Sequence, residues 1–124
     1  MATTDYRIDE TEAMRDFNQL VAEVWLDRMT PSEMRLLRWV AMVTLGDGRR
    51  WGHFRERQVL DGVPDKVTRK LIHEGVGLSR ASLYRARNKL GEKGLLICKP
   101  HSKGRWRGGW HMEVHLDARP VRKQ

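Results

Sequence analysis

Between Trp110 and Leu116 apolar and polar residues alternate without a break. Trp110, Met112, Val114 and Leu116 stand on one side, His111, Glu113 and His115 on the other. Successive side chains of a strand point to opposite faces, so this run predicts a strand with one buried face. Leu95-Leu96-Ile97-Cys98-Lys99 predicts its neighbour. The Gly-, Lys- and Arg-rich stretch from Pro100 to Gly109 predicts the hairpin loop between them.

Helical periodicity precedes the hairpin. Met14, Phe17, Val21, Val24 and Trp25 recur at three- and four-residue steps and predict an amphipathic helix within residues 11 to 27. Thr30-Pro31-Ser32-Glu33 reads as a helix start, with Thr30 as N-cap, Pro31 in the first turn and Glu33 closing a capping box. The helix that follows carries Met34, Leu37, Val40, Ala41, Thr44 and Leu45 inward and ends at Gly46-Asp47-Gly48. A short strand is expected around Phe54 to Leu60. Pro64 is expected to open a further helix to about Glu74, with Val67, Leu71 and Ile72 inward. After the tight connection Gly75 to Leu78, Ser79 caps a helix from Arg80 to about Leu90, with Leu83, Ala86 and Leu90 inward and Gly91 and Gly94 flanking its end. The fold class is mainly α with a C-terminal β-hairpin (α+β). One domain is expected: an acidic helix over 1–27, a core over 28–117 and a frayed tail over 118–124.

Charge is unevenly placed along the 124 residues, whose formal net charge is +8. Residues 1 to 27 hold seven acids against Arg7 and Arg15, whereas Arg80 to Arg107 hold nine bases and Glu92 as their one acid. Clustered positive charge favours a polyanionic partner, nucleic acid being the commonest. With no apolar run of 18 residues no membrane span is expected, and MATTDYRIDE has neither the basic start nor the apolar stretch of a signal peptide. A lone cysteine, Cys98, fits a reducing compartment, so a cytoplasmic location is expected.

The order of elements leads to a resemblance carried by particular residues. Gly77-Leu78-Ser79-Arg80-Ala81-Ser82-Leu83-Tyr84-Arg85-Ala86 resembles the turn and recognition helix of bacterial and phage winged helix-turn-helix regulators. Asn88-Lys89-Leu90-Gly91-Glu92-Lys93-Gly94-Leu95-Leu96-Ile97 resembles their passage into the wing. The resemblance covers residues 64 to 116 and, more loosely, Thr30 to Leu45. It is to the DNA-binding domains of phage replication-initiation proteins and to MarR-like or GntR-like regulators. Two features depart from it: the stretch between the first two fold helices is long and rich in Arg and Trp, and Arg87 stands where such proteins usually carry a leucine. The resemblance implies sequence-specific binding of double-stranded DNA, as transcriptional regulator or as phage or plasmid replication factor, in bacterial cytoplasm or a phage-infected host cell.

A major groove about 12 Å wide admits one helix, whose outward side chains then reach base edges. With Leu83, Ala86 and Leu90 inward, the candidates on the helix are Arg80, Ser82, Tyr84, Arg85 and Lys89, with Ser79 capping it beside a phosphate. Arg85 suits guanine; Tyr84 either contacts DNA or packs on the preceding helix. In the wing, Lys103, Arg105 and Arg107 supply charge for phosphate. Trp106 either stacks on the nucleic acid or folds back on the domain. Trp25, Trp39 and Trp110 are expected in the core or at an interface.

No enzyme signature emerges: no G-x-x-x-x-G-K, H-E-x-x-H or G-x-S-x-G. No cofactor and no metal are expected. Cys98, His101, His111 and His115 mimic a ligand set, yet His111 and His115 on one strand lie about 13 Å apart, too far to share a zinc ion. Two other classes of function stay open: a winged helix serving as a protein-interaction module, for example a phage factor binding a host protein, and RNA or general nucleic-acid binding. Residues 11–27, with Leu20 beside their apolar stripe, either form the interface of a homodimer or cover their own domain.

Overall fold

The structure, a computed structural model, describes residues 6–101 and 108–120. Helix α1 (Glu10–Leu20) starts at Asp9, whose carboxylate accepts from the Glu12 N–H at 2.9 Å. It runs on through a π turn (Val21–Trp25) and a 3-10 turn (Leu26–Arg28). Phe17, Leu20, Val21 and Trp25 are buried, Met14 and Val24 half-buried, and all six belong to one core. The segment therefore covers its own domain. Its apolar stripe is buried within that core. Trp25 Nε1 donates to the Ala118 carbonyl at 3.2 Å, so Ala118, expected in a frayed tail, is buried. The remaining tail residues 121–124 lie outside the described residues.

Helix α2 (Pro31–Val43) begins as its cap predicts, with Glu33 N–H donating to Thr30 Oγ1 at 3.2 Å. The Glu33 carboxylate accepts from the Thr30 hydroxyl at 3.0 Å and from Lys93 Nζ. Leu36, Leu37, Trp39, Val40, Ala41 and Val43 are buried. Gly48, at φ 74°, reverses the chain after the turn Leu45–Asp47, a left-handed conformation that glycine adopts readily.

Strand β1 (Gly52–Arg55) leads directly into the short helix α3 (Glu56–Asp61). The Arg55 N–H donates to Gln58 Oε1 at 2.8 Å, marking the junction. The expected strand over Phe54 to Leu60 is thus a strand that stops at Arg55 and a helix after it. A larger correction follows. Residues 64–74 are not a helix: β2 (Gly62–Pro64) and β3 (Leu71–Glu74) pair antiparallel as a separate two-stranded ribbon. Asp65 Oδ1 accepts from the Val67 and Thr68 N–H groups at 2.8 Å each, offering the backbone a turn in place of a helix. Arg69 sits at φ 65°, which no right-handed helix contains. Val67, Leu71 and Ile72 are 88%, 55% and 58% exposed, the reverse of their expected inward placement.

Helix α4 (Arg80–Glu92) and strands β4 (Leu96–Pro100) and β5 (Gly109–Val114) complete the chain. The three-stranded antiparallel sheet has the order β1-β5-β4, with Phe54 opposite Trp110 and Cys98 opposite Met112. Phe54, Trp110, Met112, Val114 and Leu96 face the core with Trp25, Trp39 and the α4 stripe. Gly52 is required here, since a Cβ would stand 2.5 Å from the Phe54 ring. Among the described residues no helix is long and apolar enough to cross a membrane.

Candidate nucleic-acid interface

Ser79 caps α4: its side chain accepts from the Ser82 N–H at 3.1 Å. Leu83, Ala86 and Leu90 are buried, as the sequence predicts. The 3.6-residue period therefore turns Ala81, Tyr84, Arg85, Asn88, Lys89 and Glu92 outward, and all are exposed.

The two flanks of this ridge differ chemically. Toward α2, Ser82, Arg85, Asn88 and Lys89 line a groove of about 510 Å³ with Thr30, Ser32 and the acids Glu33 and Glu92. Arg85 Nη2 donates to Ser82 Oγ at 3.2 Å, and Lys89 Nζ stands 3.7 Å from a Glu92 oxygen. Toward α3, Glu56 dominates. Its Oε2 lies 2.7 Å from Arg80 Nε, and its Oε1 accepts from the Tyr84 hydroxyl. The hydrogen bond to Glu56 holds the Tyr84 phenol above its ordinary range, helped by burial and by the carboxylate charge that a phenolate would face. Arg87 lies over the Tyr84 ring at 4.8 Å and the Trp110 ring at 5.1 Å, and the two rings meet edge-on with centroids 6.2 Å apart, so one guanidinium covers both aromatics.

The hairpin's outer face carries a second cluster. His53 and His111 are paired across β1 and β5, with ring centroids 5.4 Å apart and His111 Nδ1 3.4 Å from His53 Nε2. The His101 ring stands 4.4 Å from that of His53. Burial, then the neighbouring His101 and His111, lower the His53 pKa, so charging it is disfavoured. Trp51 extends the row, 5.8 Å from His111 and 5.0 Å from Tyr6. His101 also closes the loop base, donating its N–H to the Gly109 carbonyl at 2.9 Å. Lys103, Arg105, Trp106 and Arg107, expected in that loop, lie outside the described residues. His115 turns to the Gly94 carbonyl, away from His111, and the half-buried Cys98 shares the face of buried Met112. Burial pushes the Cys98 thiol up to about 11. Among the described residues no group of three or more His, Cys, Asp and Glu is arranged to hold a metal ion.

The structure thus brings Ser82, Arg85 and Lys89 to one side of α4 and Arg80 and Tyr84 to the other. Sequence reasoning missed Asn88, which the same helical period places three residues beyond Arg85 on the ridge. It also missed Glu56 and His53, and no local signal marks either, because both become relevant through pairings distant in the chain. No family model, no curated protein and no solved structure matches this chain.

Proposed function

We propose that the chain is a winged helix-turn-helix protein that binds double-stranded DNA, with α4 in the major groove and residues 101–109 as the wing. The observation that carries this reading is the outward ridge of α4, polar and basic through Arg85, Asn88 and Lys89, beside a hairpin whose loop is rich in Lys and Arg. Its supports are the order α2, β1, α3, α4, β4, β5, with the β2–β3 ribbon inserted between α3 and α4, and the return of β1 to pair with β5. In this arrangement Arg85 and Asn88 reach base edges, Arg reading guanine and Asn adenine. Ser79, Ser82, Lys89 and the wing cations Lys103, Arg105 and Arg107 position the duplex through phosphate. A role in transcription or in phage or plasmid replication belongs to this reading.

Fluorescence anisotropy with a labelled duplex pool tests it. Affinity falls steeply, with a log–log slope of several units, between about 50 and 200 mM salt. Arg85→Ala costs about 1–3 kcal/mol on a selected site and relaxes preference at one position. Affinity independent of salt, or an equal preference for RNA competitor, overturns the duplex reading.

One observation favours a protein-docking role instead. Met42 and Ile72 are more than half exposed and flank a groove of about 470 Å³ between α2 and β3, rimmed by Arg35 and Arg38. Absence of binding to both duplex and RNA makes that face the one to pursue.

A further inference from the structure

Glu56 stands in the wrong place for a protein whose α4 meets phosphate. A carboxylate at that edge repels the polyanion, yet it takes the guanidinium of Arg80, the first residue of α4, at 2.7 Å. Its other oxygen accepts from Tyr84, one turn further along the same flank. The Glu56 side chain is 24% exposed and that of Arg80 68% exposed, so the carboxylate is sheltered while the cation stays within reach of solvent. Tyr84 packs edge-on against Trp110, and Arg87 lies over both rings. The row Trp110, Arg87, Tyr84, Glu56 and Arg80 thus joins the hairpin, α4 and α3 along one flank. The opposite flank, with Arg85 and Lys89, has acids of its own in Glu33 and Glu92, but Glu33 is taken by Lys93 and Glu92 stands off at 3.7 Å from Lys89.

We propose that Glu56 is a positioning residue that occupies Arg80 as an internal substitute for phosphate, releasing it only to a closely docked duplex. This rests on the reading of α4 as the DNA-contacting helix. Loosely held, random duplex engages Arg85 and Lys89 but leaves the Glu56–Arg80 pair intact. A cognate duplex brings a phosphate close enough to exchange with the carboxylate. The cost of opening the pair therefore falls on the cognate complex, so the acid weakens the selected site at least as much as it weakens random DNA.

The experiment compares wild type, Glu56→Gln, Arg80→Ala and the double variant on a random duplex and on a duplex selected by wild type, across a salt series. Glu56→Gln is expected to tighten random-duplex binding about two- to fivefold, the range of one exposed ion pair. Its salt slope should steepen by about 0.9, one more phosphate neutralised. The selected duplex should tighten at least as much, with its salt slope unchanged because Arg80 already meets phosphate there, so the selected-to-random ratio should hold or rise. Arg80→Ala in the wild-type background should leave random binding nearly unchanged, and in the Glu56→Gln background should abolish the gain. Persistence of the gain without Arg80 overturns the proposal, because the effect is then the general removal of one negative charge. A loss of affinity in Glu56→Gln for both duplexes also overturns it. If wild type itself binds no duplex, the DNA reading fails and this proposal with it, an outcome distinct from the other two. Circular dichroism of each variant separates these results from misfolding.

Discussion

Two ionisable residues set expectations at the scale of single side chains. Glu33 is 4% exposed, and its carboxylate is compensated by Lys93 Nζ and the Thr30 hydroxyl. The contact ties the first turn of α2 to the residue that ends α4. Removing one partner leaves the other charge buried and unpaired, so Lys93→Ala should destabilise by about 3 kcal/mol in urea denaturation. A cost below about 0.5 kcal/mol would mean that water replaces the ammonium group at no penalty. His53 supplies a pH dependence. Its folded pKa is depressed by burial and then by His101 and His111, so the unfolded chain binds the proton more readily. Stability is therefore fully present above the unfolded pKa of about 6.5 and is lost as pH falls through the folded value. Melting temperatures measured from pH 7.5 down to 5 should decline, and His53→Gln should flatten that decline. An unchanged slope in the variant assigns the dependence to other groups.

At the scale of elements, what was legible depended on whether the determinant lies close by in sequence. The alternation over Trp110 to Leu116, the Thr30 and Ser79 caps and the α4 stripe are local signals, and each led to the element that formed. The ribbon over 62–74 was not legible, because its apolar residues happen to recur at helical steps while its true determinant is a turn. Asp65 draws two N–H groups to its carboxylate, and those bonds hold its pKa below the ordinary carboxylate value. Gly62, at φ 110°, admits the close approach of the returning strand, since a Cβ there would stand 2.7 Å from the His73 carbonyl oxygen. The candidate site divided in the same way. Arg85 and Lys89 follow from helical period, whereas Glu56 reaches Arg80 across 24 residues of chain that include the misread ribbon. Gly62→Ala should therefore cost more than about 1 kcal/mol, combining a strained φ with a backbone collision. Faster amide exchange should appear in Gly62 to Glu74 while α4 stays protected. Uniform exchange in the two would show that ribbon and core open as one unit.

For the molecule as a whole, the decisive question is what α1 contributes. Its acids Glu10, Glu12, Asp16 and Glu23 are exposed, while Phe17, Leu20, Val21 and Trp25 belong to the same core as α2, α4 and the sheet. The chain's other end closes over it, with Ala118 accepting from Trp25 Nε1 and with Leu116 and Arg119 beside Leu20 and Val24. Full burial of such a side chain contributes about 1.5–3 kcal/mol. Four of them, about 6–12 kcal/mol together, are comparable to the whole net stability of about 5–15 kcal/mol typical of a domain this size. A chain that starts at Asp27 should accordingly fail to fold cooperatively, with no sigmoidal urea transition and no dispersed amide spectrum. Phe17→Ala in the full chain should cost about 3–5 kcal/mol. Phe17→Asp with Val21→Asp should unfold the protein, because both charges would enter an apolar core with no partner. The opposite outcome is equally concrete. If the shortened chain folds as a monomer, the full chain sediments as a dimer, and the double aspartate variant dissociates it without unfolding it, α1 is an interface and its place in this core is wrong.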